Sequence, residues 1–254
     1  MSVNKVGLVS VSVVSHGQLA MVLDLLEDIQ EFCCATPLEV LLTLNIDEIG
    51  AIEVSQYSFP ISVIKNAEPK GFGANHNQAF KAASGTFFCV LNPDIRLLAD
   101  PFPALIDVFA NPAVGVCAPL VISIDGQAEN SVRKFPTPMT ILKKVVGRGI
   151  PLDYEIGNSL LLPDWVGGMF MFFRSAVYKQ VKGFDERYFL YYEDVDLCAR
   201  LTNLGFKVVF CPASKVIHLA QRTSHKSIKY LRWHISSMLR FFMTSAYWRL
   251  LRQS

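Results

Sequence analysis

Three carboxylates stand close together in the stretch FLYYEDVDLCARL, residues 189–201, directly after an aromatic run. Asp194 follows two tyrosines on a segment that the apolar pattern predicts to be buried. A partly desolvated carboxylate has a raised proton affinity, which suits a general base. The alternative for Glu193 and Asp194 is a solvated helix start, where acids favour the helix dipole. Asp196 and Arg200 have the spacing of an ordinary helical ion pair.

A further carboxylate, Asp94, lies in LNPDIRL just after a predicted strand. Parallel α/β sheets bind ligands at the carboxyl ends of their strands, and Pro93 stiffens the turn at this point. Mg²⁺ and Mn²⁺ prefer oxygen ligands and then bind diphosphates, so Asp94 is a candidate metal ligand. The alternative is an Asx turn. His218 in VIHLA is a candidate nitrogen ligand only if it converges on Asp94.

Gly71 and Gly73, in NAEPKGFGANHNQAF, precede a predicted helix. Glycine permits close backbone approach, and a helix N-terminus favours a phosphate group. The alternative is a loop that leads into an amide-rich helix start. The spacing is not G-x-G-x-x-G, so a Rossmann dinucleotide site is not indicated.

The composition predicts a chain with a sizeable core and a basic end. The 254 residues are 51% hydrophobic and 18% charged, which suits one large α/β domain or two small ones. Ten Lys and Arg residues follow Asp196 and no acid does, although the net charge is only +2. This asymmetry predicts an anionic partner at the C-terminal end. Nucleic acid is disfavoured, because the basic residues are spread over about 50 positions without a binding motif.

The cysteines and the apolar runs predict a cytoplasmic protein. The six cysteines form no C-x-x-C pair, and most lie in apolar runs that are typical of a reduced core. We find neither a signal-peptide pattern at the start nor an apolar run of about 18 residues, the length needed to span a membrane.

Strands and helices alternate along the first half of the chain, which predicts an α/β fold with a mostly parallel central sheet flanked by helices. The proline-rich residues 133–164 predict a long loop or lid. The expected strands are Val6–Val14, Leu38–Leu44, Ile61–Lys65, Thr86–Leu91, Val114–Ile122, Trp165–Arg174 and Lys207–Cys211. The expected helices are Leu19–Phe32, Gln78–Ala83, Phe102–Phe109, Ser175–Val181, Asp194–Leu204 and one that begins at Ile228.

Five stretches in order, KGFGANHNQAF, LNPDIRL, WVGGMFMFFRSAV, GFDERYFLYYEDVDL and VIHL, resemble glycosyltransferase family 2 in its rhamnosyltransferase-like branch. The resemblance spans most of the chain. It implies a GT-A fold, with a Rossmann-like nucleotide-binding half and an acceptor-binding half. It also implies inverting, metal-dependent transfer of a sugar from a nucleotide-sugar donor, with dTDP-L-rhamnose as the first candidate.

The same resemblance implies a glycan or lipid-linked glycan acceptor in bacterial surface-polysaccharide synthesis, such as that of O-antigen, at the inner face of the plasma membrane. Two alternatives stay open. The chain is a UDP-hexose or UDP-galactofuranose transferase, or it is a catalytically silent subunit that binds sugar nucleotides or glycans.

Family resemblance also implies roles for single residues. Asp94 matches the ligand of a divalent cation, Mg²⁺ or Mn²⁺, and His218 matches a position that joins the metal. Glu193 and Asp194 match the acceptor-activating pair, with Asp194 as the base. Loop 133–164 lies on the acceptor side. The positions on the donor side are Ser15, His16, Gly71, Gly73, Asn77, Asn92, Asp94, Trp165, Gly167 and Gly168.

Two stretches depart from the family pattern, and both concern the nucleotide. The family has VVDNASTDGS after the second strand, with an Asp that contacts the nucleotide. Here LLTLNIDEIG places Leu44 at that position, and Asn45 and Asp47 are the nearby candidates to replace the Asp. The first strand ends in SHG where the family has a TYN-type turn.

Residues 222–254 are predicted to form a basic amphipathic helical extension of a domain that covers residues 1–221. An apolar stripe usually packs on its own domain, and we expect this here. The alternative is that the tail SAYWRLLRQS contacts an anionic membrane surface. The stripe consists of Leu231, Ile235, Met238, Leu239, Phe242 and Ala246.

Overall fold

The computed structural model describes residues 7–48, 53–145, 153–219 and 228–253. Strands and helices alternate first, as the sequence predicts. The elements up to the middle of the chain are β1 (Val9–Ser15), α1 (Leu19–Phe32), β2 (Leu38–Leu44), a 3₁₀ turn (Val54–Gln56), β3 (Ile61–Lys65), α2 (Phe72–Phe80), β4 (Phe87–Leu91), β5 (Ile95–Leu97), α3 (Phe102–Val108) and β6 (Val114–Ile122).

The remaining elements complete the sheet and cover one of its faces. They are β7 (Val132–Arg133), α4 (Pro138–Val145), β8 (Trp165–Val166), β9 (Phe170–Arg174), α5 (Ser175–Gln180), α6 (Glu193–Asn203), β10 (Lys207–His218), α7 (Ile228–Met243) and α8 (Ser245–Gln253).

The described residues form an eight-stranded sheet in the order β3-β2-β1-β4-β9-β6-β10-β5. Strands β1, β2, β3 and β4 are parallel, and so are β6 and β10. Strand β9 runs antiparallel between β4 and β6, and β5 runs antiparallel to β10 at the edge. The predicted fold class, a mostly parallel sheet flanked by helices, is therefore confirmed.

The directions of the strands bring three chain segments to the same end of the sheet, where β4 and β10 end and β9 begins. Leu91, the last residue of β4, pairs with Phe170, the first residue of β9, so the residues before β9 lie beside those after β4. His218, the last residue of β10, pairs with Ile95. The chain segments that carry Asn92, Gly168 and His218 therefore meet where parallel sheets bind ligands.

The sheet separates two apolar cores, because alternate side chains of each strand point to opposite faces. On β4, Cys89 and Leu91 face the core under α1 and α3, whereas Phe88 and Val90 face the core under α2, α5 and α6. Burying one such side chain stabilises the fold by roughly 1.5–3 kcal/mol. All six cysteines are unpaired, and five of them are buried.

Some predicted bounds differ from the structure. Helix α2 begins at Phe72, six residues before the prediction. Strand β10 does not end at Cys211 but continues to His218, and a register shift after Cys211 accommodates Pro212. The predicted strand Trp165–Arg174 is divided in two by residues 167–169. The predicted loop 133–164 contains helix α4. Val6 lies outside the described residues.

Helices α7 and α8 pack against α6, but only some residues of the predicted apolar stripe take part in this contact. Phe241, Ala246 and Tyr247 pack with Val195 and Ala199 of α6. The expectation that the stripe packs on the domain is wrong for three of its members, which are largely exposed: Leu231 (58%), Ile235 (43%) and Leu239 (52%). The predicted domain boundary at residues 221–222 lies outside the described residues.

None of the helices in the described ranges has both the length and the apolar character to cross a membrane.

Candidate active site

One part of the site is built around Asp94, at the turn after β4. The Asn92 backbone N–H donates to the Met169 carbonyl at 2.9 Å, which fixes the start of this turn. The Leu219 N–H donates to the Asp94 carbonyl at 2.8 Å, which ties the turn to the end of β10. Asp94 Oδ2 lies 3.3 Å from His218 Nε2, so the two predicted ligands do converge.

Glu129 completes this group. Its Oε2 lies 2.8 Å from His218 Nδ1, on the opposite side of the ring from Asp94. Burial lowers the pKa of His218, but hydrogen bonds and charge from Asp94 and Glu129 outweigh burial and raise the pKa to about 9. A carboxylate on the second ring nitrogen is the usual partner of a metal-binding histidine, because it fixes the tautomer and the ring orientation.

The Asp94 group fits a divalent cation that also binds phosphate. Asp94 Oδ1 is buried and has no hydrogen-bond partner, which leaves a carboxylate oxygen available as a ligand. Across the described ranges, no three or more His, Cys, Asp or Glu side chains form a complete cage. Mg²⁺ sites often use only one or two carboxylates, with substrate phosphates and water as the other ligands. Asp94 and His218 are therefore the residues that could hold such a cation together with phosphate oxygens of a ligand.

The other part of the site is Asp194, in the first turn of α6. The Gly168 N–H donates to Asp194 Oδ2 at 3.0 Å, and the Val195 N–H donates to Oδ1 at 2.8 Å. Burial raises the pKa of Asp194, and the amides of Val195 and Gly168 reduce this effect without cancelling it. A hydrogen-bonded carboxylate with raised proton affinity has the properties of a general base.

Glu193 differs from its neighbour. Its side chain is buried, and Oε2 has no hydrogen-bond partner. Burial and then the charge of Asp194 raise the pKa of Glu193 well above its ordinary value. Two adjacent buried carboxylates do not both ionise readily, so we assign the retained proton to Glu193 and the charge to Asp194. The neutral Glu193 therefore leaves Asp194 as the charged carboxylate of the pair, which is the form that a general base requires.

Asp196 belongs to the structure of α6, as predicted. Its Oδ2 lies 2.7 Å from Arg200 Nε, four residues later. Arg200 also donates to the carbonyls of Val181 and Gly183, so the ion pair connects α6 to the end of α5.

Strain in the backbone helps to present Glu193 and Asp194. Tyr191 and Tyr192 have φ values of 70° and 66°, in the left-handed region that side chains other than glycine seldom adopt. Such a conformation persists only where the surrounding structure imposes it. Here α7 does so: the Ser237 hydroxyl donates to the Leu190 carbonyl at 2.9 Å, and the rings of Phe241 and Tyr192 are 5.9 Å apart.

Two consecutive residues, Gly168 and Met169, connect the Asp94 turn with Asp194. Gly168 donates to Asp194, and Met169 accepts from Asn92, two residues before Asp94. A Cβ atom at Gly168 would lie 3.3 Å from the Phe72 ring, so glycine suits this crowded position.

Helix α2 holds the segment that leads to Asp194. A Cβ at Gly71 would lie 2.7 Å from the Phe189 carbonyl oxygen, and one at Gly73 would lie 2.5 Å from Phe184 Cβ. Asn77 bonds both the N–H and the carbonyl of Phe184. The space that the missing side chains of Gly71 and Gly73 leave is therefore filled by Phe189 and Phe184 of the protein itself. A role of these glycines in donor binding stays a prediction.

Asn45 connects the ends of β1 and β2 with the segment before α2. Its Oδ1 accepts from the Lys70 N–H at 2.8 Å and from the Asn66 amide at 2.9 Å. Its Nδ2 lies 3.1 Å from Nδ1 of His16, which is exposed at the strand end. The Ser15 hydroxyl accepts from the Gln18 N–H at 3.1 Å and so caps the turn into α1.

Two of the predicted donor-side residues bond the chain around β7: Trp165 Nε1 donates to the Lys134 carbonyl at 3.0 Å, and the Gly167 N–H donates to the Ser131 carbonyl at 2.8 Å. Both contacts hold β8 against β7 and the residues beside it. Residues 146–152 of the predicted acceptor loop lie outside the described residues.

Sequence reasoning missed Glu129. It lies in a loop 35 positions after Asp94, and no periodicity or motif marks it. Only the strand order, which brings the loop after β6 next to the end of β10, shows the contact.

Comparisons with known proteins match this architecture. The model of the family "Glycosyl transferase family 2" matches residues 11–180, and that of "Glycosyltransferase like family 2" matches residues 161–236. The chain is 27% identical over 248 residues to "Rhamnosyltransferase WbbL" of Escherichia coli strain K12, which covers 92% of each chain. It is also 27% identical over 239 residues to an N-acetylglucosaminyl-diphospho-decaprenol L-rhamnosyltransferase of Mycobacterium tuberculosis, which covers 84% of this chain and 78% of the relative.

Solved structures share the fold at low sequence identity. GalNAc-T7 with UDP, GalNAc and Mn²⁺ has a TM-score of 0.68 and 14% identity, and the match covers 86% of this chain but only 44% of GalNAc-T7. The mannosyltransferase PcManGT of Pyrobaculum calidifontis, with GDP-Man and Mn²⁺, has a TM-score of 0.64 and 16% identity, over 93% of this chain and 65% of the neighbour. These neighbours are GT-A glycosyltransferases. The family models, the relatives and the fold together show that this chain is a glycosyltransferase and belongs to family 2.

Proposed function

We propose that the enzyme transfers L-rhamnose from a nucleotide-activated donor to a lipid-linked glycan, with inversion at the anomeric carbon. The observation that carries the proposal is the link between Asp194 and Asp94 through Gly168 and Met169. A base for the acceptor and a ligand for the diphosphate side are thus held by one short backbone segment. Rhamnosyltransferases among the relatives support the choice of sugar.

Mn²⁺ or Mg²⁺, held by Asp94 and His218, would offset the negative charge on the leaving nucleoside diphosphate. Both solved neighbours named above contain Mn²⁺, which supports this cofactor. Glu129 orients His218 by its contact with Nδ1. The ring nitrogen that faces Asp94 is then kept in position toward the metal.

Asp194 takes the proton of the acceptor hydroxyl. The hydroxyl oxygen forms a bond to the anomeric carbon while the bond from that carbon to the diphosphate oxygen breaks, and the nucleoside diphosphate leaves with the electron pair. The amides of Gly168 and Val195 hold the carboxylate in place. General-base assistance of this kind contributes about 10²–10⁴ in rate.

The acceptor we propose is a polyprenyl-diphosphate-linked sugar, which would place the enzyme at a membrane surface. The support is the mycobacterial relative, whose name includes N-acetylglucosaminyl-diphospho-decaprenol. The basic C-terminal end, with no acid after Asp196, is compatible with an anionic lipid acceptor.

A donor comparison tests the proposal. The enzyme would be incubated with a polyprenyl-diphosphate N-acetylglucosamine analogue, Mn²⁺ and either dTDP-L-rhamnose, a UDP-hexose or UDP-galactofuranose. We expect release of the nucleoside diphosphate from dTDP-L-rhamnose. We also expect the rhamnosylated product to have the anomeric configuration opposite to that of the donor. Turnover of a UDP-sugar alone would refute the proposed sugar. Binding without any turnover would indicate a silent binding subunit.

A further inference from the structure

Helix α7 has one face that packs on the protein and an opposite face that is exposed and apolar. The packed face contacts the aromatic run before Asp194: Trp233 lies 4.6 Å from the Phe189 ring, and Ser237 bonds to Leu190. Phe241 is fully buried in the cluster with α6 and α8. These contacts fix the rotation of the helix, so its outer face does not turn inward.

The outer face is a stripe of large apolar side chains. Its members are separated by three or four positions, so they lie along one side of the helix. Three members of the predicted stripe are not part of it: Met238 is half-buried, Phe242 packs against the cluster shared with α6, and Ala246 is buried within α8. The exposed stripe consists of Ile228 (78%), Leu231 (58%), Ile235 (43%), Leu239 (52%) and Met243 (76%).

Cations border the exposed stripe. Lys229, Arg232 and Arg240 are one residue away from stripe members along the helix. Lys229 lies over the Trp233 ring and Arg240 over the Tyr188 ring, at 4.8 and 5.9 Å from the centroids. Within the described part of the chain, none of the three forms an ion pair with a carboxylate.

We infer that the exposed stripe of α7 docks on an anionic phospholipid surface, with its apolar side chains at the level of the acyl boundary and its cations among the headgroups. An amphipathic helix with large apolar residues on one face and Lys or Arg beside them has the chemistry of an interfacial helix. Anionic headgroups supply the charge that the exposed Lys229 and Arg232 lack in the protein, whereas Arg240 is turned towards the buried Tyr188 ring.

A second copy of this chain suits the stripe less well. In a two-fold symmetric contact, the same surface patch faces itself. Because no acid follows Asp196, the cations beside the stripe would face other cations without an acid from this region to offset them. The charges therefore favour lipid over self-association.

This inference rests on the proposed function, in which the acceptor is lipid-linked, but its test needs no sugar transfer. The full chain would be sedimented with vesicles of phosphatidylcholine, alone or mixed with phosphatidylglycerol. We expect binding to the mixed vesicles and at least tenfold weaker binding to phosphatidylcholine alone. Removing the cations, in Lys229→Gln with Arg232→Gln, should weaken binding about fivefold for each cation.

Apolar variants test the stripe itself. Ile235→Ser with Leu239→Ser should weaken vesicle binding at least tenfold for each residue, because burial of such a side chain is lost. Matched controls are Val63→Ser on edge strand β3 and Lys207→Gln at the start of β10, which should bind like the wild type. Unchanged melting temperatures would show that the variants fold.

Three results would overturn the inference: no binding to either vesicle, equal loss in the control variants, or a concentration-dependent dimer that the Ile235→Ser and Leu239→Ser variant abolishes. Vesicle binding without any transferase activity would instead contradict the proposed function and leave the docking surface intact. The two failures are therefore distinguishable.

Discussion

Replacement of Asp194 by Asn tests the assignment of the base. The variant side chain keeps the size and shape of the original, but it presents one oxygen to two amides. One of the N–H groups of Gly168 and Val195 then loses its acceptor, at a cost of about 1–3 kcal/mol in the free energy of unfolding. Removal of the buried Asp194 charge offsets part of this loss, because burial disfavours the charged form of this side chain.

The rate should respond far more strongly than the stability. Loss of the base should lower kcat by about 10²–10⁴, which corresponds to roughly 3–5 kcal/mol in the activation barrier. The assay is the initial rate of nucleoside diphosphate release at saturating donor and acceptor, with donor affinity measured by calorimetry in Mn²⁺. We expect unchanged donor affinity. In the wild type, kcat should fall at low pH with an apparent pKa above the ordinary aspartate value, because burial raises the pKa of Asp194.

Asp196→Asn is the contrasting variant, because Asp196 carries its charge on the same helix but bonds Arg200. Breaking this buried pair should cost about 3 kcal/mol of stability and leave turnover within threefold of wild type below the melting transition. If Asp194→Asn keeps turnover within tenfold of the wild type, Asp194 is not the base.

Three further predictions concern the metal side and the core. Asp94→Ala should weaken donor binding at least tenfold in Mn²⁺ but not in its absence, as measured by calorimetry; equal affinities with metal would exclude Asp94 as a ligand. Glu129→Gln should lower Mn²⁺ affinity in the presence of nucleoside diphosphate about 10–100-fold, since His218 loses its charged partner; an unchanged manganese titration would contradict this role. Burial lowers the pKa of His76 in the folded protein to about 3. As the pH falls below about 6.5, this histidine is therefore protonated in the unfolded chain but not in the folded one, which favours unfolding. From pH 7 to pH 5 this should remove about 2 kcal/mol from the free energy of unfolding. Urea titrations should show that His76→Gln loses less over this range, and equal losses would refute the assignment.

Local sequence patterns predicted much of the fold because the strands are short apolar runs with glycine or proline near their ends. Where they erred, tertiary contacts were decisive. Gly71 and Gly73 were predicted to precede a helix, yet Gly73 lies within α2, where the helix packs too closely on Phe184 for a side chain at this position. The strand predicted to end at Cys211 continues to His218, because a register shift after Cys211 accommodates Pro212.

The candidate site residues were predictable where a polar side chain stands at the end of a strand or at the start of a helix. Asp94, Asp194 and His218 all do so, and the structure brings Asp94 and His218 together. Glu129 was not predictable, since its role depends on which loop the strand order places beside His218. The outer face of α7 was misjudged for a similar reason: an apolar periodicity shows that a face exists, but not what covers it.

The most direct test of the account is product analysis of the wild-type enzyme with dTDP-L-rhamnose, Mn²⁺ and a polyprenyl-diphosphate-linked N-acetylglucosamine acceptor. We predict one rhamnosylated product for each dTDP released, with the opposite anomeric configuration to the donor by NMR, and loss of both on chelation of the metal. Retained configuration, or full activity in excess chelator, would contradict a metal site at Asp94 that works with a base at Asp194.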